Sequence, residues 1–125
     1  MVTTKHTYVR THAISGNVLT FDLKSNHADL MERARTAKAG RTAKTLVKEG
    51  PLRITLVALK QGVSLQEHQV AGAVSIQALR GRVAVEADGA RSDLRAGQLL
   101  VLDADIRHRA TAVTDCAILI TMSMD

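Results

Sequence analysis

The sequence predicts an all-β protein, a single antiparallel barrel or sandwich preceded by one helix and an N-terminal arm. Three observations carry that expectation. From Thr42 onward, branched and aliphatic residues come in short runs of strand length. Those runs are punctuated by Gly50-Pro51, Gly62, Gly81, Asp88-Gly89 and Gly97. Only one stretch, between Ser25 and Gly40, has helical spacing. Many short strands, glycine turns and little helix are the pattern of closed or two-layered antiparallel sheets.

Residues 1–13 are polar, without a clear period, and read as an arm. Val18 to Leu23 alternates as a short strand would, with Leu19, Phe21 and Leu23 on one side. A helix then begins with Ser25 or Asn26 as its cap, carries Asp29 and Glu32 toward its positive end and ends on Arg33, Arg35 and Lys38. Leu30, Ala34 and Ala37, with Met31 beside them, form a narrow apolar stripe, so the helix is expected to lie on another element. Gly40 is placed to stop it in a left-handed conformation. After Gly40 the period becomes two: Thr45 and Val47 alternate with Lys44 and Lys48, and Glu49-Gly50-Pro51 turns the chain. Strands are expected over 52–59, 74–80, 82–87, 90–94, 98–102, 107–113 and 116–122. Asp88-Gly89 between two of them is a strong hairpin signal. This divides the chain into an arm and helix over 1–41, packing on the barrel or on a dimer partner, and a barrel over 42–125, one structural domain overall.

Composition narrows the function. The 125 residues are 46% apolar but only 2% aromatic, with Tyr8 and Phe21 and no Trp. The core is therefore aliphatic, and pockets built on ring stacking are disfavoured. The net charge of +5 is concentrated: residues 24–53 hold eight basic side chains against three acidic ones, and the rest of the chain balances. Such a segment either attracts an anionic partner or forms a solvated face. Cys116 is the one cysteine, so no internal disulfide exists. Preceding Ala117-Ile118-Leu119-Ile120, it is expected to be a buried, inert thiol. The N-terminus lacks an apolar leader core and no run reaches the length of a membrane span, which gives the expectation of a cytoplasmic protein with no membrane contact.

The most informative stretch runs from Gly62 to Ala112. Its order is Gly62-x5-His68-x-Val70-x3-Val74-x6-Gly81, then Gly97-x5-Asp103-x-Asp105-x2-His108-x3-Ala112. This resembles the two motifs of the cupin superfamily over roughly residues 42–122. The resemblance implies a small jelly-roll barrel in which two histidines and a carboxylate from the first motif, with a last histidine from the second, hold one metal ion. It also implies a homodimer, with the helix and the Val18–Leu23 strand at or beside the interface. The departures fall on the ligands. Val70 occupies the slot of the second histidine and Val74 that of the carboxylate; Asp103 and Asp105 replace the second motif's proline and glycine, and Ala112 its asparagine.

His68 and His108 are thus the only candidate metal ligands by that resemblance, two where a catalytic site uses three protein ligands and an open position. Strand parity turns Gln77 and Glu67 away from the site, whereas Gln66 shares parity with His68. His6, His12 and His27 reach the barrel mouth only if the N-terminal segment folds over it. By alternation Val70, Val74, Ile76, Ala110 and Ala112 line a small apolar cavity with the two histidines at its polar end. Arg107 and Arg109 fall on the opposite face from His108.

Three readings of function follow. One is a module binding a small molecule, mostly apolar or anionic, with His68 and His108 as hydrogen-bond partners. Another is a degenerate metal-dependent enzyme, dioxygenase-like or isomerase-like, whose histidines hold one divalent transition metal such as iron, manganese, nickel or zinc. The third is nucleic-acid association through residues 24–53, against which the missing aromatics and the lack of a reading helix both count. No residue is assigned a catalytic role.

Overall fold

The computed structural model describes residues 18–67 and 69–124. Helix α1 (Leu23–Thr36) is followed by β1 (Arg41–Glu49), β2 (Leu52–Leu59), β3 (Val74–Arg80), β4 (Arg82–Ala87), β5 (Ala90–Arg95), β6 (Leu99–Leu102), β7 (His108–Ala112) and β8 (Cys116–Ser123). They form a five-stranded sheet in the order β1-β2-β8-β3-β6 and a three-stranded sheet in the order β5-β4-β7. Every strand pair is antiparallel. The two sheets face each other across one aliphatic core, so the all-β architecture expected from the sequence is the one observed.

Alternation decides what fills that core. Val74, Ile76 and Ala78 of β3, Cys116 and Ile118 of β8, and Val57 and Leu59 of β2 point inward from the larger sheet. Val83, Val85, Leu94, Ala110 and Ala112 meet them from the smaller one. The larger sheet is also covered on its outer side. There α1 packs Leu30 and Ala34 onto Leu46, Val47, Leu56 and Ala58, with Phe21, Leu23, Ile54, Leu79 and Leu119 at the margins. Leu56 to Leu59 are consequently all buried, because β2 lies between two apolar layers. That explains why this run showed no period of two at its end.

The helix behaves as its narrow stripe requires, lying on the sheet with Leu30 and Ala34 closed off from solvent. Its start differs from expectation. The cap is Asp22, whose carboxylate accepts from the Ser25 N–H at 3.4 Å, and not Ser25 or Asn26. Asn26 lies inside the first turn and donates its amide to the Asp22 carbonyl at 2.7 Å. The expected strand at Val18–Leu23 is absent: residues 18–22 have no regular structure and Leu23 is already helical. The alternating side chains Phe21 and Leu23 instead both anchor the helix start in the outer cluster. The helix ends at Thr36 with Ala37 as its cap. Gly40 does adopt a left-handed conformation (φ +70°), but it opens β1, donating its N–H to Ala37 and accepting from Lys60.

β1 carries one irregularity that alternation does not reveal. Its register to β2 shifts between Thr45 and Val47, leaving Leu46 as the extra residue of a bulge. Leu46 and Val47 are therefore both buried beneath α1.

Two positions test this fold. Gly81 turns β3 into β4 at φ +72°, and a Cβ there would run into the Asp115 carbonyl oxygen. Gly81→Ala is expected to cost about 3 kcal/mol in urea unfolding, from combined left-handed strain and steric displacement. His27, on the buried face of α1 at 6% exposure, has an Nδ1 without a hydrogen-bond partner. Burial lowers its pKa from 6.5, helped by Arg80 and Lys24 and opposed by Asp22. A base whose folded-state pKa is lowered binds more protons when unfolded, so its contribution is fully present above pH 6.5 and is lost as pH falls from there through the lowered value. Acidification should therefore narrow the stability gap between the wild type and the unfolded chain, and in His27→Leu that part of the pH dependence should vanish from denaturant midpoints.

Candidate functional site

The site is built where the segment after Gly62 runs alongside β7. Gly62 N–H donates to the Ala112 carbonyl, Leu65 N–H to the Ala110 carbonyl and Ala112 N–H to the Val63 carbonyl, each at 2.9 Å. The hydroxyls of Ser64 and Thr111 stand 2.7 Å apart across the same pairing. Further along, Asp105 N–H donates to the Val70 carbonyl at 2.8 Å, and the Gln69 side-chain amide donates to the Asp105 carbonyl at 3.1 Å. The two stretches that carried the sequence signal are thus bonded to each other on both sides of position 68. His68 itself lies outside the described residues, as do His6 and His12.

β7 alternates cleanly. His108, Ala110 and Ala112 are buried toward the core, and Arg109 faces solvent. In the register with β4, Val83 faces Ala112, Val85 faces Ala110 and Ala87 faces His108. His108 is thereby held at the end of the barrel at 6% exposure. Its Nδ1 sits 3.1 Å from the Ile106 carbonyl oxygen. A carbonyl can only accept, so in the neutral imidazole Nδ1 carries the hydrogen and Nε2 carries the lone pair.

The structure gathers the other expected lining residues on the same interior side. Val74, Ile76, Ala110 and Ala112 belong to the core cluster between the sheets, and Val70 packs against it from the loop before β3. Gln77 lies between the inward-facing Ile76 and Ala78, on the other side of β3; Gln66, which parity places on the side of His68, is exposed. Glu67 is also exposed and accepts from Arg107 at 3.4 Å. His27 does not approach the barrel mouth; its helix lies on the outer side of the five-stranded sheet. Among the described residues no group of three His, Cys, Asp or Glu side chains is arranged to hold a metal ion. Val70 and Val74, at the positions where the resemblance expects a histidine and a carboxylate, carry isopropyl groups, which cannot ligate a metal.

One feature escaped the sequence reading. A cleft of about 330 Å³ opens at this end of the barrel, lined by Glu67, Glu86, Ala87, Asp88, Arg91 and Arg107 among others. His108 does not line it, but its sequence neighbour Arg107 and its cross-strand partner Ala87 do. Its signal was the Asp88-Gly89 turn, but only the register places that turn beside Arg107.

Part of the basic segment is engaged within the protein. Arg33 pairs with Asp29 at 3.2 Å, Arg35 with Glu32 at 2.7 Å and with Asp115 at 3.7 Å, and Lys44 donates to Asn26 at 3.3 Å. No helix among the described residues is long and apolar enough to cross a membrane. Cys116 is fully buried, and burial pushes its thiol up to about 11. It should therefore resist a thiol reagent at pH 8 in the native protein and react at once in denaturant; rapid native labelling would contradict the packing described.

Comparison with solved structures identifies this architecture. A cupin superfamily protein from Desulfitobacterium hafniense aligns with a TM-score of 0.66 at 20% identity, over 68% of this chain and 78% of its own. A conserved protein of unknown function from Streptococcus pyogenes aligns over 97% of both chains, with a TM-score of 0.69 and 22% identity. A mutant salicylate 1,2-dioxygenase from Pseudoaminobacter salicylatoxidans aligns at 0.71 and 18% identity, over 82% of this chain but 34% of the dioxygenase. The fold is that of the cupin superfamily. No protein-family model matches the sequence, and no curated protein matches it.

Proposed function

We propose that this chain is a cupin-like barrel that binds a small molecule, mostly apolar with one polar group, at the barrel end marked by His108. The observation that carries the reading is the state of that imidazole. It is the polar member of an inward-facing row whose other members are alanines, and its Nδ1 is committed to the Ile106 carbonyl. In the neutral ring Nε2 then carries the acceptor lone pair, which sets the kind of polar group the imidazole can meet. The neighbouring cleft, with Arg107 and Glu67 at its rim, supplies charged side chains for a part of the ligand that stays in water.

The alternative, a metal-dependent enzyme, draws on the likeness to a dioxygenase fold and on His68 and His108. The valines at 70 and 74 weigh against it, because neither can replace a ligand.

Two measurements separate the readings. A thermal-shift screen of small carboxylates, phenols and heteroaromatics against the untagged protein should find a stabilising ligand. His108→Ala should weaken that ligand about 10- to 100-fold, as expected for loss of one buried hydrogen bond to a polar group, and His108→Gln should recover part of the affinity. Metal analysis of the same preparations should show no stoichiometric metal. A full equivalent that disappears in both His68→Ala and His108→Ala would overturn the binding reading in favour of the metal enzyme.

A further inference from the structure

Strand β4 runs from Arg82 to Ala87, and its two ends differ. Ala87 faces His108, whereas Arg82 lies at the opposite end of the barrel, about 17 Å along the strand. There Arg82 and Arg95 are direct cross-strand partners in the β4–β5 ladder, both exposed on its outer side. Their Cα atoms are about 5 Å apart, and like charges placed directly opposite destabilise a sheet. No acidic side chain offsets that pair. Neither guanidinium has a hydrogen bond or ion pair among the described residues. On the other side of Arg82 the chain presents Val113 and Thr114, whose N–H groups donate to the Arg82 carbonyl. The neighbouring carboxylates are engaged elsewhere: Asp93 with Arg91 at 3.1 Å, and Asp115 with the Gln61 N–H at 2.8 Å and with Arg35 at 3.7 Å. Arg80, across Gly81 from Arg82, adds to the positive field at this end; after burial it is the largest cause lowering the pKa of His27.

We propose that Arg82 and Arg95 bind a single phosphate monoester group between them. An anion there turns a repulsive pair into two charge-assisted contacts. Two planar guanidiniums side by side need more acceptors than a carboxylate has. One fork occupies both oxygens of a carboxylate, whereas a phosphate monoester offers three terminal oxygens and close to two negative charges. The choice of cation agrees with that chemistry. The outward-facing cations of the three-stranded sheet, Arg82, Arg91, Arg95 and Arg109, are all arginines, although lysines occur elsewhere in the chain. A phosphodiester chain fits this face less well. Asp93 and Glu86 lie along the same outer side of β5 and β4, where they repel the further phosphates of a polyanion. The pair shares no residue with the cleft or with His108, so the inference is independent of any ligand bound at that end.

Two-dimensional proton–nitrogen spectra of the arginine Nε–H groups in the full-length, untagged protein test it, at fixed ionic strength, with inorganic phosphate, methyl phosphate and acetate as probes. Both phosphates should shift the Arg82 and Arg95 signals saturably, and acetate should bind at least about tenfold more weakly. Arg82→Ala and Arg95→Ala should each weaken phosphate at least about tenfold with the backbone amide spectrum retained, and Arg82→Lys with Arg95→Lys by a smaller factor. No shift with either phosphate, or equal binding by the wild type and the alanine variants, overturns the proposal. Acetate binding as tightly as phosphate overturns it as well, by reducing the pair to a general anion patch. A thymidine oligonucleotide that binds more tightly per phosphate than methyl phosphate, with an affinity that falls steeply with salt, overturns the single-group reading in favour of a nucleic acid.

Discussion

The pairing of β2 with β8 is the constraint on which the other elements depend. Val57 opposite Ile118 and Leu59 opposite Cys116 face the barrel interior, while Leu56 opposite Leu119 and Ala58 opposite Ala117 serve the outer side. One ladder therefore supplies both hydrophobic layers. The three-stranded sheet closes on one side of it and α1 on the other. Each fully buried Leu, Ile or Val contributes about 1.5–3 kcal/mol of transfer free energy. With almost no aromatics, this protein reaches that sum through many aliphatic contacts, so its packing tolerates few polar intrusions.

Two buried histidines show how differently such an intrusion can be placed. His27 lies under α1 with an Nδ1 that finds no partner, beside cations that oppose its protonation. It behaves as a cost of the helix docking, and an unpaired buried polar atom costs about 1–3 kcal/mol. His108 lies on the interior side of β7 with its Nδ1 engaged by a carbonyl two residues back. The first lies between the helix and the outer side of the sheet, where burial disfavours its protonation. The second is positioned at the barrel end with its chemistry directed by a fixed tautomer, beside a charged cleft.

Around His108, backbone pairing and side-chain chemistry answer to separate requirements. The backbone that brings the two motif stretches together is intact: Leu65 bonds Ala110 and Val70 bonds Asp105. Those bonds need only the turns and the alternation, which glycines and β-branched residues provide. The ligand slots need particular side chains, and Val74 at 3% exposure is an ordinary core residue in one of them. Backbone pairing of this kind thus needs no particular donor side chain at those positions.

Much of this was legible in the residues alone. The limits of β2, β3 and β4 agree with the expected strands, since period-two patterning and glycine or Asp-Gly punctuation are local properties. The Val18–Leu23 strand was misread because a strand exists only with a partner, and Asp22 turned that stretch into a helix start instead. The bulge at Leu46 and the exposed face of β6 were likewise invisible, one set by register to β2 and the other by how far α1 reaches. By itself the sequence determined the all-β class, the limits of β2, β3 and β4 and which residues alternate toward the interior, because those follow from short-range backbone and side-chain chemistry. Only the tertiary structure decided that His27 and His108 lie on opposite sides of one sheet, that the cleft beside His108 is charged, and which apolar surface stays uncovered, because each depends on what distant segments bring to the same place.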